Sequence, residues 1–192
     1  TSFITNTCLG AELFYTFDLQ YNNPLIYSSF SYDRDFVRLC EKLPTSLQDD
    51  ITFKQECYYP VTMVGDIEIK WTHDTSNEVV LEKYKRRLSR IYNNNELPLC
   101  IWLGFQTNGS TPEEHIELKK KFLNINCRSI YVTKDIKDLE LSFDRTRHAV
   151  IYIPELVEEN EWVLPTPHYR VFAKYLIGQI SKWLKEERIK KS

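Results

Sequence analysis

Glycine is scarce in this sequence, with five among 192 residues. Neither GxGxxG nor GxxxxGK[ST] occurs, which excludes the two commonest phosphate-cradling loops. The cysteines, Cys8, Cys40, Cys57, Cys100 and Cys127, are odd in number and never spaced as CxxC. That excludes a zinc ribbon and a thioredoxin-type motif. Scattered single thiols read as reduced side chains of a cytoplasmic protein. No apolar run approaches the roughly 20 residues that span a bilayer. The opening Thr1-Ser2-Phe3-Ile4 has neither a basic n-region nor a long apolar h-region, so no signal peptide is expected. Asn108-Gly109-Ser110 fits a glycosylation sequon and is read, without a secretory signal, as a turn. Charge of one sign is missing too. Twenty-five Lys and Arg against 27 Asp and Glu leave a formal charge of −2, which argues against a nucleic-acid partner.

What is present has the composition of a folded domain. With 42% hydrophobic and 27% charged residues the chain is excluded from the disordered class. Its length suits one domain over residues 1–192, able to bury about 70% of its unfolded surface.

Short apolar runs alternate with helical periodicity. Phe3–Thr5, Pro24–Phe30, Ile51–Cys57, Leu99–Phe105, Ile130–Thr133 and Ala149–Ile153 read as strands. Asp66–His73 is the clearest strand, with Ile67, Ile69 and Trp71 on one face and Asp66, Glu68 and Lys70 on the other. Helices are expected over Ala11–Leu19, after Ser31 as cap, from Thr75 or Ser76 to about Tyr92, and from Thr166-Pro167 onward. Thr111-Pro112-Glu113-Glu114 is a capping box with proline at the first helical position. In the helix ending near Tyr92, Leu81, Tyr84, Leu88 and Ile91 form the expected buried face. Alternating strand and helix predicts an α/β fold, one domain with a mostly parallel sheet flanked by helices.

In open α/β sheets ligands bind outside the carboxyl ends of the strands. That rule selects Asn6, Thr7 and Cys8, then Ser31 and Asp33, then His73 and Asp74, then Gln106, Thr107 and Asn108. Cys8 would open a helix, where the dipole and backbone N–H groups lower a thiol pKa. His73 is the candidate base, with Asp66 or Asp74 to orient its ring. The helix after His73 carries Lys83, Arg86, Arg87 and Arg90 at three- and four-residue spacing, a basic face suited to a phosphate or diphosphate. Asp33-Arg34-Asp35 matches the DxD string of metal-dependent glycosyltransferases. It falls in a helix's first turn, where acids are favoured for dipole reasons alone, so no metal site is assigned. His115, His148 and His168 lack metal-ligand spacing and read as structural or surface residues.

Two stretches carry a family resemblance. One is Phe3-Ile4-Thr5-Asn6-Thr7-Cys8-Leu9-Gly10 with Tyr32-Asp33-Arg34-Asp35-Phe36. The other runs from Tyr59-Pro60-Val61 through Asp66-Ile67-Glu68-Ile69-Lys70-Trp71-Thr72-His73 to Glu82–Ile91. Together they resemble a bacterial family of uncharacterised exopolysaccharide (capsule) biosynthesis proteins, over about half of the chain. The sequence departs from that family's pattern at Thr7, Leu9, Asp74 and Tyr84. The same Cys and His regions are similar to papain-like cysteine peptidases. The resemblance implies an α/β fold, a surface-glycan context, and Cys8, Asp66, His73, Lys83, Arg86, Arg87 and Arg90 as positions to test.

Three functions are compatible with these features. The preferred one is a glycosyl or other group transferase of glycan assembly. In it Asn6 and the basic residues bind a carbohydrate or sugar nucleotide and Asp66 or His73 serves as base. The second is a Cys/His hydrolase or acyltransferase built on Cys8 and His73. The third is a non-catalytic glycan-binding module. A sugar nucleotide is the only cofactor-like ligand implied, and a divalent metal is not expected.

Overall fold

Runs of apolar residues too short for a helix build the centre of the fold. The computed structural model describes residues 2–16, 18, 22–48, 50–55, 57–92, 97–105, 109–153 and 167–191. In chain order the elements are β1 (Phe3–Thr5), α1 (Leu9–Thr16), β2 (Ser29–Phe30), α2 (Asp33–Glu41), β3 (Ile51–Phe53), β4 (Val61–Val64), β5 (Ile67–Lys70), α3 (Asn77–Tyr92), β6 (Leu99–Leu103), α4 (Pro112–Phe122), β7 (Ser129–Thr133), β8 (His148–Tyr152) and α5 (Pro167–Lys191). β1, β6, β7 and β8 form a parallel sheet in that order. β6 and β7 are buried at every position, as central strands covered on both faces must be.

The two faces of this sheet feed two apolar clusters. Leu99, Ile101, Leu103, Ile130 and Val132 point to one side and pack with Leu13 and Phe14 of α1 and Leu176 and Ile180 of α5. Cys100, Trp102 and Tyr131 point to the other and join Phe36 and Leu39 of α2 and Phe122 of α4. The second cluster continues through α2 into Ile67, Ile69 and Trp71, so α2 lies between the parallel sheet and a second, smaller one. That second sheet is antiparallel in the order β2-β5-β4-β3. A parallel sheet flanked by helices is therefore present as the sequence predicts, and the antiparallel sheet is an addition to it.

Local expectations differ from the structure where side chains found partners outside their own segment. Only Ser29 and Phe30 of the 24–30 run are a strand, because residues 24–27 form a turn. Ser31 does not cap α2. Tyr32 holds that position without a side-chain cap, and the Ser31 hydroxyl donates instead to Glu68. β5 is shorter than the 66–73 segment, since Asp66 belongs to the turn before it and His73 to the turn after Trp71. α3 buries Val80, Tyr84, Arg87 and Ile91, while Leu81 and Leu88 are half-buried. The Thr111 capping box is present, with both reciprocal bonds formed. Thr166 and the 106–108 segment lie outside the described residues.

Candidate active site

β1 is buried over its whole length and stops at Asn6, whose side chain closes the strand end. Asn6 Nδ2 donates to Leu103 O at 3.4 Å, and Asn6 Oδ1 accepts from Leu103 N at 3.0 Å. Both amide functions are thus spent on β6, and Asn6 fixes the edge of the sheet rather than facing a ligand. Its carbonyl accepts from Phe30 N at 3.3 Å, which fastens β2 to the end of β1. Cys8 follows two residues later, immediately before α1.

The antiparallel pairing of β2 and β5 brings His73 to the same place. Ser29 faces Lys70 and Phe30 faces Ile69, so the turn before β2 and the turn after β5 lie at the same end of the pair. A turn closed by Asp74 N on Trp71 O at 3.1 Å then swings His73 out of the buried row of Ile67, Ile69 and Trp71. Cys8 Sγ lies 3.2 Å from His73 Nε2 across 65 residues of sequence. The sequence reading put both on one rim by assuming parallel strands. The rim is right and the premise is corrected: the strand before His73 is antiparallel and reaches Cys8 through β2.

Burial pushes the Cys8 thiol above its usual range, and the Thr72 hydroxyl and the backbone N–H of Cys8 itself work against that. The expectation of a thiol lowered by the helix end is therefore reversed, because desolvation of a half-buried thiolate outweighs the donors.

The expected orienting carboxylates are elsewhere. Asp66 sits at the far end of β5, 57% exposed, and pairs with Arg38 and with Lys42 at 3.9 Å. Asp74 is next to His73 in sequence, but its carboxylate is 4% exposed and pairs with Lys83. The basic face of α3 is divided as well. Arg87 is 6% exposed and donates from Nη1 to Ile26 O at 3.3 Å. Arg86 is exposed and Arg90 half-buried. Lys83 and Arg87 thus meet protein groups at the inner side of α3 instead of presenting a shared anion site.

The Asp33-Arg34-Asp35 string also resolves into structure. Asp33 is buried and accepts from Ser110 Oγ at 2.9 Å, and Asp35 accepts from Glu68 N at 3.3 Å. Among the described residues no group of three or more His, Cys, Asp or Glu is placed to hold a metal ion. A polar cluster that the sequence reading missed surrounds Asp33: His115 Nδ1 is 3.6 Å from its Oδ2, and His115 Nε2 is 3.0 Å from Tyr131 Oη. The signal available was His115 at the fourth residue of a firmly capped helix, but nothing local pairs it with Tyr131. Another missed residue, Tyr27, stands with its ring centroid 5.6 Å from that of His73. Beyond His73, Thr75, Ser76 and Asn77 line one wall of a groove of about 560 Å³, and Tyr58 and Tyr59 line the other.

A thiol and an imidazole in contact at the carboxyl end of a parallel α/β sheet define a class of protein, a domain with a candidate Cys/His centre. Comparison with known proteins defines the family. The chain belongs to the DUF1919 family, described as a domain of unknown function, which it matches over residues 1–149. That stretch runs from before β1 to the first residues of β8 and contains Cys8, Tyr27, His73 and Arg87. An uncharacterized protein of Haemophilus influenzae is 31% identical over 93 residues, 48% of this chain and 45% of that protein. The match therefore spans less than half the length of that relative. No helix among the described residues is long and apolar enough to cross a membrane.

Proposed function

We propose that the chain is a thiol-dependent acyl-transfer enzyme, a hydrolase or acyltransferase with Cys8 as nucleophile and His73 as general base. The observation that carries this reading is the 3.2 Å contact between Cys8 Sγ and His73 Nε2. Residues so far apart in sequence meet there at the start of a helix, with the imidazole open to solvent.

The steps follow from that geometry. Cys8 Sγ attacks the carbonyl carbon of an ester, thioester or amide while its proton passes to His73 Nε2. The positive end of the α1 dipole favours the developing oxyanion, while Gly10 N and Ala11 N stay bonded to Thr5 Oγ1 and Cys8 O. The leaving group departs with the proton returned from Nε2, and an acyl thioester remains on Cys8. An acceptor then gives its proton to Nε2, attacks the thioester carbonyl and releases Cys8, which recovers that proton. The acceptor is water in a hydrolase and a hydroxyl or amine in a transferase.

The glycan context implied by the family resemblance enters as the choice of acceptor, a sugar hydroxyl in place of water. A sugar-nucleotide site on Lys83, Arg86, Arg87 and Arg90 has less support, since Lys83 pairs with Asp74 and Arg87 holds backbone. The five free thiols suit a reducing compartment, and we assign the enzyme to the cytoplasm on that ground.

The test is pre-steady-state release of p-nitrophenol from p-nitrophenyl acetate, followed by a panel of thioesters. Wild type is expected to show a burst, and Cys8→Ser and His73→Ala each to lower the acylation rate by about 10²–10⁴. Mass spectrometry should find the acetyl group on Cys8. Acylation that proceeds equally in all three proteins rejects the reading.

A further inference from the structure

The geometry points to Tyr27 as the residue that positions His73, its ring held by a strained turn beside the imidazole. This rests on reading Cys8 and His73 as the reacting pair. Among the described residues no carboxylate pairs with His73: Asp74 is turned to Lys83 and Asp66 to Arg38. What does meet the imidazole, besides Cys8, is the Tyr27 ring, at 5.6 Å between centroids and tilted by 58°.

Tyr27 has φ +68°, in the left-handed region that a bulky aromatic residue rarely enters. Such strain persists only where the surroundings over-determine it, and it gathers at functional sites. The surroundings here do so from three directions. Asn23 Nδ2 donates to Phe3 O at 2.6 Å and Asn23 Oδ1 accepts from Leu25 N at 2.8 Å, which ties the turn to β1. Ser28 donates twice to Leu25 O, from its N at 3.1 Å and its Oγ at 2.7 Å. Arg87 reaches from α3 to Ile26 O, the carbonyl just before Tyr27. A buried guanidinium is costly to place, and here it secures the backbone of one strained residue.

The consequence is geometric. An exposed histidine samples several rotamers, and only one keeps Nε2 against Cys8 Sγ. A ring packed on the imidazole removes the others, which raises the fraction of time the pair is in contact. Arg87, first read as a phosphate ligand, becomes a support for that ring.

The experiment uses the whole chain in a Cys57→Ser background, so that Cys8 is the accessible thiol. Three readouts are taken: iodoacetamide labelling of Cys8 against pH, melting temperature, and the imidazole ¹⁵N and ring-proton signals of His73, assigned by their loss in His73→Ala. Tyr27→Gly removes the ring and keeps the turn, since glycine adopts positive φ freely. Should it fail to fold, Tyr27→Asn takes its place, because Asn also tolerates that conformation.

Wild type is expected to label about tenfold faster at neutral pH than His73→Ala. Tyr27→Gly should fall to the His73→Ala rate, with a changed pH profile, shifted His73 signals and a near-unchanged melting temperature. Tyr27→Phe should restore the rate to within about twofold, since it keeps the ring face. A Tyr27→Gly protein with the wild-type pH profile and unmoved His73 signals overturns the proposal, whether or not it melts earlier. If His73→Ala labels as fast as wild type, the Cys/His reading fails. The His73 signals then decide the positioning claim alone: shifted in Tyr27→Gly they support it, unmoved they overturn it.

Discussion

Single residues in this protein take their character from partners far away in sequence. Glu68 alternates regularly along β5 and reads as a solvent-facing carboxylate. In the fold the Lys54 ammonium and the Ser31 hydroxyl both donate to it and hold its carboxyl below the usual range. Folded Glu68 therefore stays ionised where glutamates of the unfolded chain, ordinarily near 4.3, take up protons. Its contribution to stability is complete above about pH 4.3 and is lost as pH falls through the lower folded value. Glu68→Gln is expected to flatten the acid limb of the stability curve, as measured by urea unfolding between pH 3 and 6, roughly the range over which a carboxylate titrates. Asn6 shows the same dependence. Its position after a strand suggested ligand binding, and two hydrogen bonds between its side-chain amide and the Leu103 backbone turned it into structure. Cys8 is the opposite case, a thiol marked out by its place after the first strand and joined by His73 in the fold.

At the scale of the element, what was legible is what is local. The Thr111 capping box was readable because both of its bonds lie within four residues, and it is present as read. Thr111→Ala should cost about 1 kcal/mol by loss of one cap, measured by chemical denaturation, with helix content otherwise kept. The start of α2 was misread because Ser31 had a better acceptor in Glu68, 37 residues on. The inner face of α3 was misread for a related reason. Arg87 lies one turn after Tyr84, on the side that periodicity gives to the core, yet its charge argued for solvent. The carbonyl of Ile26 reconciles the two, by giving a buried guanidinium an acceptor. β4 was missed although Val61–Val64 has a tolerable strand pattern and pairs antiparallel with its sequence neighbours β3 and β5.

Across the whole molecule the cysteines divide by location. Cys40, Cys100 and Cys127 are buried within the cluster shared by the two sheets, Cys8 is half-buried, and Cys57 is exposed. Burial pushes the Cys40 and Cys100 thiols up, so they resist alkylation as well as being out of reach. Native labelling with iodoacetamide, resolved by mass spectrometry, should modify Cys57 first and Cys8 next. The remaining three should react only as the protein unfolds, at a rate that rises with denaturant in step with the loss of tryptophan fluorescence. Early labelling of Cys100 would mean that the central sheet opens without global unfolding.

The sequence by itself determined the parallel α/β character, the apolar strands β6 and β7, the capped helix α4 and the two short segments that carry Cys8 and His73. These rest on periodicity, turn chemistry and apolar run length, all of which act over a few residues. Only the tertiary structure decided the second sheet, the inward turn of Arg87, the diversion of Asp66 and Asp74 to ion pairs, and the placing of Tyr27 against His73. The Arg87–Ile26 and Tyr27–His73 contacts join segments 61 and 46 residues apart, whereas the β4–β5 hairpin and the Asp74–Lys83 pair are local and were not read. Which donor reaches which acceptor across the longer separations is set by strand register and helix packing, and no local pattern encodes that outcome.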